Sequence, residues 1–242
     1  MLTTNNSVQY SLQDQVATIC IDDGKRNALA PDVLGEIYAA FDRAKSDRAI
    51  VILTGRESVF SAGFDLHVMK RGGGDALRML RLGYALPARV LAYPYPVIVA
   101  CNGHSFAMGV FLMLAADYVI GSRGDFKIAA NEVAIGLTMP RIAAAMLQHR
   151  LNPACFQRAV TLSEHFDVDA ALRAGFFDDV VDPIDLMDHA ENCARQFRDL
   201  DLRAHAASKR RIRAGLIRRI RLGVWLDLLD AVLLGLRGAR PR

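Results

Sequence analysis

The chain has 242 residues, 52% of them hydrophobic, and a net charge of +4 from 30 basic and 26 acidic side chains. This is material for one large core that needs no covalent staples. Four scattered cysteines, Cys20, Cys101, Cys155 and Cys193, form no C-x-x-C pair and point to structural thiols in a reducing compartment. No histidine pair has metal-ligand spacing, and no uncharged apolar run of about 18 residues predicts a membrane span.

The polar start, MLTTNNSVQYSLQD, has no apolar stretch, so no signal peptide is expected and the location follows as cytoplasmic. VATICID (16–22) alternates and is β-branched, which predicts a strand. DDGKRNALA (22–30) is a loop, and Pro31 suits the first turn of a helix carrying Val33, Leu34, Ile37 and Phe41 at helical spacing. AIVILTG (49–55) is a strand of the fully buried kind. RESVFSAGFD is a loop ending near Asp65, a candidate helix cap. Gly72-Gly73-Gly74 is a break, and no Gly-Lys-Ser/Thr follows to make it a phosphate loop. A helix over about 75–92 leads to the buried strand PVIVAC.

Next come the turn Asn102-Gly103 and an apolar helix opened by small residues. DYVIGS and DFKIAA are short strands, and helices follow at about 140–149, 153–163 and 168–174. FFDDVVD is a strand or turn, 184–200 is helical, and the chain from 201 onward is nearly all helix-forming. Strands alternating with helices give an α/β class. The segment KRRIRAGLIRRIR (209–221) holds seven cations and no acid. It reads first as a solvated helix face. With no interleaved aromatic residues, it gives little support to nucleic-acid binding.

Three segments stand together as candidate chemistry. In SAGFDLHVM (61–69) and NGHSFAMG (102–109), small residues sit where strands hand over to helices. Backbone N–H groups are unpaired at such places, and two converging on one point form an oxyanion hole. In NEVAIGLTMP (131–140), Glu132 is flanked by Val133, Ala134 and Ile135. A carboxylate in apolar surroundings suits a general base, because burial raises its pKa.

DDGKRNAL, VFSAGFDL, PVIVACNGHSFAMG and NEVAIGL resemble the landmarks of the crotonase (enoyl-CoA hydratase/isomerase) superfamily over about residues 8–200. The resemblance implies a crotonase-like spiral of repeated β-β-α units in residues 1–200. It implies a C-terminal helical region, 201–242, used in the contacts of a homotrimer or of a hexamer. The substrate it implies is an acyl-CoA thioester, with coenzyme A as part of the substrate and no separate cofactor. No membrane or nucleic-acid partner is implied.

By motif match, the oxyanion donors are the backbone N–H groups of Phe64 and Met108, and the catalytic acid/base is Glu132. Ala62, Asp65, Leu66, His67 and Gly109 line the thioester, and Lys25, Arg26 and Ala28 lie near the nucleotide of coenzyme A. The pattern departs from the hydratases of the family at one point. Their first glutamate lies three residues past the second oxyanion donor, which here is Phe111. Isomerisation is therefore the expected reaction. Hydration, thioester hydrolysis, decarboxylation and a non-catalytic acyl-CoA- or RNA-binding role are the alternatives.

Overall fold

Asp14 and Gln15, at φ 48° and 61°, fold β1 (Val8–Gln13) back on β2 (Val16–Ile21) as an antiparallel hairpin. Two successive positive-φ residues match the right-handed twist of the flanking strands. The computed structural model describes residues 6–238. The sequence reading gave 8–13 no element. VQYSLQ is polar and mostly exposed, and its turn lacks the usual Asn-Gly.

Strand–strand–helix units follow. β2 leads to β3 (Ala28–Leu29) and α1 (Pro31–Ser46). β4 (Ile50–Gly55) leads to β5 (Ser58–Ser61), β6 (Gly63–Phe64), α2 (Leu66–Arg71) and α3 (Gly73–Leu91). β7 (Val97–Cys101) leads to β8 (Gly103–Phe106) and α4 (Met108–Met113). β9 (Tyr118–Ser122) leads to β10 (Ile128–Ala129), a 3-10 turn over Val133–Ile135, and α5 (Arg141–Arg150). The chain closes with α6 (Pro153–Thr161), α7 (Val168–Ala174), β11 (Asp179–Val181), α8 (Leu186–Arg198) and α9 (Leu202–Gly238).

The first strands of the units form one sheet, ordered β1-β2-β4-β7-β9-β11 and parallel from β2 onward. The second strands form two small parallel sheets, β10-β8-β5 and β3-β6. The repeated step from the large sheet to a small one and back through a helix is the crotonase spiral.

The large sheet is covered on both faces, which is why IVILTG is buried throughout. Val51 and Leu53 face the main core, while Ile50 and Ile52 join Ile98, Ile120, Leu186 and Ala190 under α8.

Of the short second strands, the sequence places β10, within DFKIAA (125–130), while β3, β5 and β6 fall in stretches that read as loops and β8 in one that reads as a turn and helix start. Two-residue strands such as β3 and β6 are too brief for any periodicity to appear. The glycine break is Gly72-Gly73, at φ 68° and 71°, with Gly73 the first residue of α3 and Gly74 within it.

A half-buried carboxylate, Asp117, and a buried one, Asp227, dock α9. Asp117 accepts from Val97 N at 2.8 Å and pairs with Lys209 and with Arg213 at 3.0 Å. Asp227 accepts from Arg141 N and Ile142 N at 3.0 and 3.1 Å, and from the Arg141 guanidinium at 3.0 Å. The basic stretch is therefore not simply a solvated face. Lys209 and Arg213 are buried, while Arg210, Arg211, Arg218, Arg219 and Arg221 are exposed. Burial pulls the Lys209 ammonium down to about 8, against the attraction of Asp117.

Candidate active site

The loop before β3 is tied by its own side chains. Asp23 accepts from the N–H groups of Lys25, Asn27 and Ala28 at 2.7, 2.8 and 2.9 Å. These bonds hold its carboxyl below the usual range, against the opposing effect of burial. Asn27, fully buried at φ 52°, donates to Ile21 O at 2.7 Å and to Val59 O and Phe60 O at 3.2 Å. Its own carbonyl accepts from Ser61 Oγ at 2.8 Å. The loop is thus bolted to β5, and Ala62 N donates to Arg26 O at 3.0 Å. The pairing of β3 with β6 then sets Ala28 opposite Gly63 and Leu29 opposite Phe64.

A second bolt holds the turn between β7 and β8. Asn102 accepts from Gly55 N at 3.2 Å and donates to Gly55 O at 3.0 Å and to Arg56 O. Asn102-Gly103 therefore joins two units of the spiral, and the helix starts only after β8. Ala107, at φ 48° and ψ −123°, reverses the chain into α4. This conformation belongs almost entirely to glycine and costs an alanine about 1–3 kcal/mol.

Met108 is the first residue of α4, so its N–H has no acceptor within the helix. A methyl group added at Gly63, itself at φ 85°, would stand 2.9 Å from Ala107 Cβ and 3.3 Å from Met108 N. The backbones that carry Phe64 and Met108 are therefore in direct contact. Gly109 fits as closely, with Ser61 backbone and side chain 2.8 Å from an added Cβ.

Glu132 is delivered by β10. Ala129 lies opposite Phe106, and Ala107 N donates to Ala129 O at 2.9 Å. Glu132 follows three residues later and stands at the head of the 3-10 turn. Its side chain is 6% exposed, and one carboxyl oxygen has no hydrogen-bond partner among the described residues. Burial pushes its pKa up to about 7, slightly offset by a bond from its own backbone N–H. The apolar neighbours are not what buries it. Val133 and Ile135 are 43% and 49% exposed, and the turn is pinned by Ser163 Oγ, which accepts from Ala134 N at 3.0 Å.

The expected residues divide between the site and its rim. Arg26, Ala28, Ala62, Phe64, Met108 and Gly109 come together through the contacts above. Asp65 caps α2, accepting from His67 N at 2.7 Å and Val68 N at 3.1 Å. Lys25, Leu66 and His67 are exposed. Phe111 is buried in the core. His104 is occupied by structure, with Nδ1 accepting from Lys127 N at 3.0 Å.

Asn27 and Tyr84 were not singled out from sequence. Tyr84 packs edge-on against the Phe64 ring, at 5.6 Å between centroids, and Phe64 fills the space left by Gly83. Burial and the negative fields of Asp227 and Glu132 keep the Tyr84 phenol protonated. An asparagine between a loop and a strand signals a bolt of the Asn27 kind. For Tyr84, on a helix with core spacing, no such signal exists.

Residues 11–220 match the family described as enoyl-CoA hydratase/isomerase. A probable enoyl-CoA hydratase of Mycobacterium avium is 33% identical over 197 residues, which span 80% of this chain and 76% of that protein. A solved enoyl-CoA hydratase/isomerase family protein of Pseudomonas syringae is 41% identical with a TM-score of 0.90, covering 92% of this chain and 97% of that one. A Mycobacterium tuberculosis structure described as an enoyl-CoA isomerase is 41% identical with a TM-score of 0.87, covering 90% of this chain and 96% of that one. With its spiral, its two touching backbone turns and its buried carboxyl, the chain belongs to the enoyl-CoA hydratase/isomerase family.

Proposed function

We propose that the protein moves the double bond of an enoyl-CoA through an enolate, with Glu132 as its acid/base. The observation that carries this reading is the contrast between two positions. Glu132 offers a buried carboxyl with a free oxygen, whereas Phe111, one turn past Met108, is core and has no proton to give. A single carboxylate is enough to shuttle one proton. Activating a water and protonating carbon together calls for a second group.

Glu132 takes a proton from C2 of a 3-enoyl-CoA, and the electron pair moves onto the thioester oxygen. The N–H groups of Phe64 and Met108 stabilise that oxygen as its charge grows. The proton returns from Glu132 to C4, the double bond settles between C2 and C3, and the carboxylate is restored. A pKa of about 7 suits both halves of this exchange. Ala62, Asp65, Leu66, His67 and Gly109 frame the thioester. Lys25, Arg26 and Ala28 meet the nucleotide of coenzyme A, which enters as part of the substrate.

The same reading assigns the outer face of α9 to contacts in a homotrimer or a hexamer. Leu222, Leu226, Leu229 and Leu233 recur there at helical spacing and are 63%, 39%, 54% and 44% exposed.

The test is a panel of 2-enoyl- and 3-enoyl-CoA thioesters followed by absorbance and mass. Isomerisation raises the conjugated-thioester absorbance at constant mass. A gain of one water as the main outcome would assign hydration instead.

A further inference from the structure

A groove of about 620 Å³ runs between α1, α3 and α9, on a stripe of α3 next to the one that carries Gly83 and Tyr84. Neither Glu132 nor the backbone turns of Phe64 and Met108 line it. Its size lies within the range of small-molecule sites, about 300–1,000 Å³.

The lining has two chemistries. Phe41, Ala88, Val224 and Leu228 give an apolar floor, and Trp225, 74% exposed, stands over it as one wall. Lys45, Arg81, Arg89 and Arg221 supply four cations at the margins. The one carboxylate there, Asp42, is already paired with Arg89, whose guanidinium also lies 5.0 Å from the Tyr38 ring centroid. Among the described residues, Lys45, Arg81 and Arg221 have no carboxylate within salt-bridge reach. An unmatched positive rim over an apolar floor selects a ligand with a negative head and an aliphatic body. The apolar stripe of α9 assigned above to subunit contacts is a separate face, because Arg221, Val224, Trp225 and Leu228 turn inward to the groove.

We propose that the groove between α1, α3 and α9 is a binding site for a long-chain fatty acid carboxylate, separate from the Glu132 site and independent of the reaction assigned to it. The head lies among Arg81, Arg221 and Lys45, and the chain lies along the floor beneath Trp225.

Trp225 is the only tryptophan of the chain, so its fluorescence reports this groove directly. Titration of the full-length protein with dodecanoate at low salt is expected to give a saturable shift of Trp225 emission. Dodecyltrimethylammonium, with the same chain and the opposite charge, is expected to give none. The double variant Arg81→Glu, Arg221→Glu changes only exposed side chains and should weaken dodecanoate by about tenfold, since each exposed ion pair contributes up to about 1 kcal/mol. No saturable shift, an equal response to the cation, or unchanged affinity in the variant would overturn the proposal. So would a buried emission that opens only on dilution, which would mean that a second copy fills the groove.

Discussion

At Glu132, the cost of keeping an ionised carboxylate out of water sets the proton affinity. The rise from 4.5 to about 7 makes burial favour the protonated form. The sign follows directly. The protonated carboxyl supports the fold fully below about pH 4.5, and this support is lost as pH rises through about 7. Glu132→Gln removes the penalty, so relative to the native chain the variant should gain up to about 3 kcal/mol between pH 4 and pH 8. Urea unfolding at the two pH values measures the difference, and a pH-independent gap would contradict the burial account. The buried carboxyl was legible in NEVAIGL, but the cause of its burial was not. Its apolar sequence neighbours Val133 and Ile135 are exposed while Glu132 itself is buried.

At the scale of elements, the site depends on two backbone turns that touch. Gly63 is the point of contact, needing both a positive φ and the absence of a side chain. Gly63→Ala should cost about 1–3 kcal/mol in stability. It should lower kcat/KM about a hundredfold, because displacement of a reacting group by about 1 Å has that effect. Wild-type kinetics in a folded Gly63→Ala would show that the two turns do not act together.

The other dependence is on α9. Asp227 caps α5 from across the molecule, at the end of the loop that carries Glu132. Asp227→Ala leaves two backbone donors unpaired and should cost about 2–4 kcal/mol. Asp227→Asn, which keeps an acceptor, should cost less, and thermal unfolding of the pair checks the order. Long amphipathic helices and buried strands such as α1 and β4 were legible because their periods run over many residues. The strands β3 and β6 were not, since at two residues they exist only through their partners. The pairing of Asp227 with the start of α5 spans 85 residues, and nothing local announces it.

For the whole molecule, the repeated β-β-α spiral brings residues 28, 64 and 108 together from three separate units, and the fourth unit, which carries Glu132, pairs with the third through β10 and β8. Class and spiral were readable from alternation and motif order together, and the exact bolts, Asn27 and Asn102, only from coordinates. Leu222→Glu with Leu229→Glu should leave the core intact and shift the sedimentation of the protein from a trimer or hexamer to a monomer. Unchanged mass would place the subunit contacts elsewhere. The most direct test of the central claim is the exchange of C2 hydrogen of a saturated acyl-CoA with deuterated solvent. The native protein should exchange it, and Glu132→Gln should bind the same thioester yet exchange about 10²–10⁴-fold more slowly. Exchange by the variant at the native rate, or none by the native protein on any acyl-CoA it binds, would contradict the account.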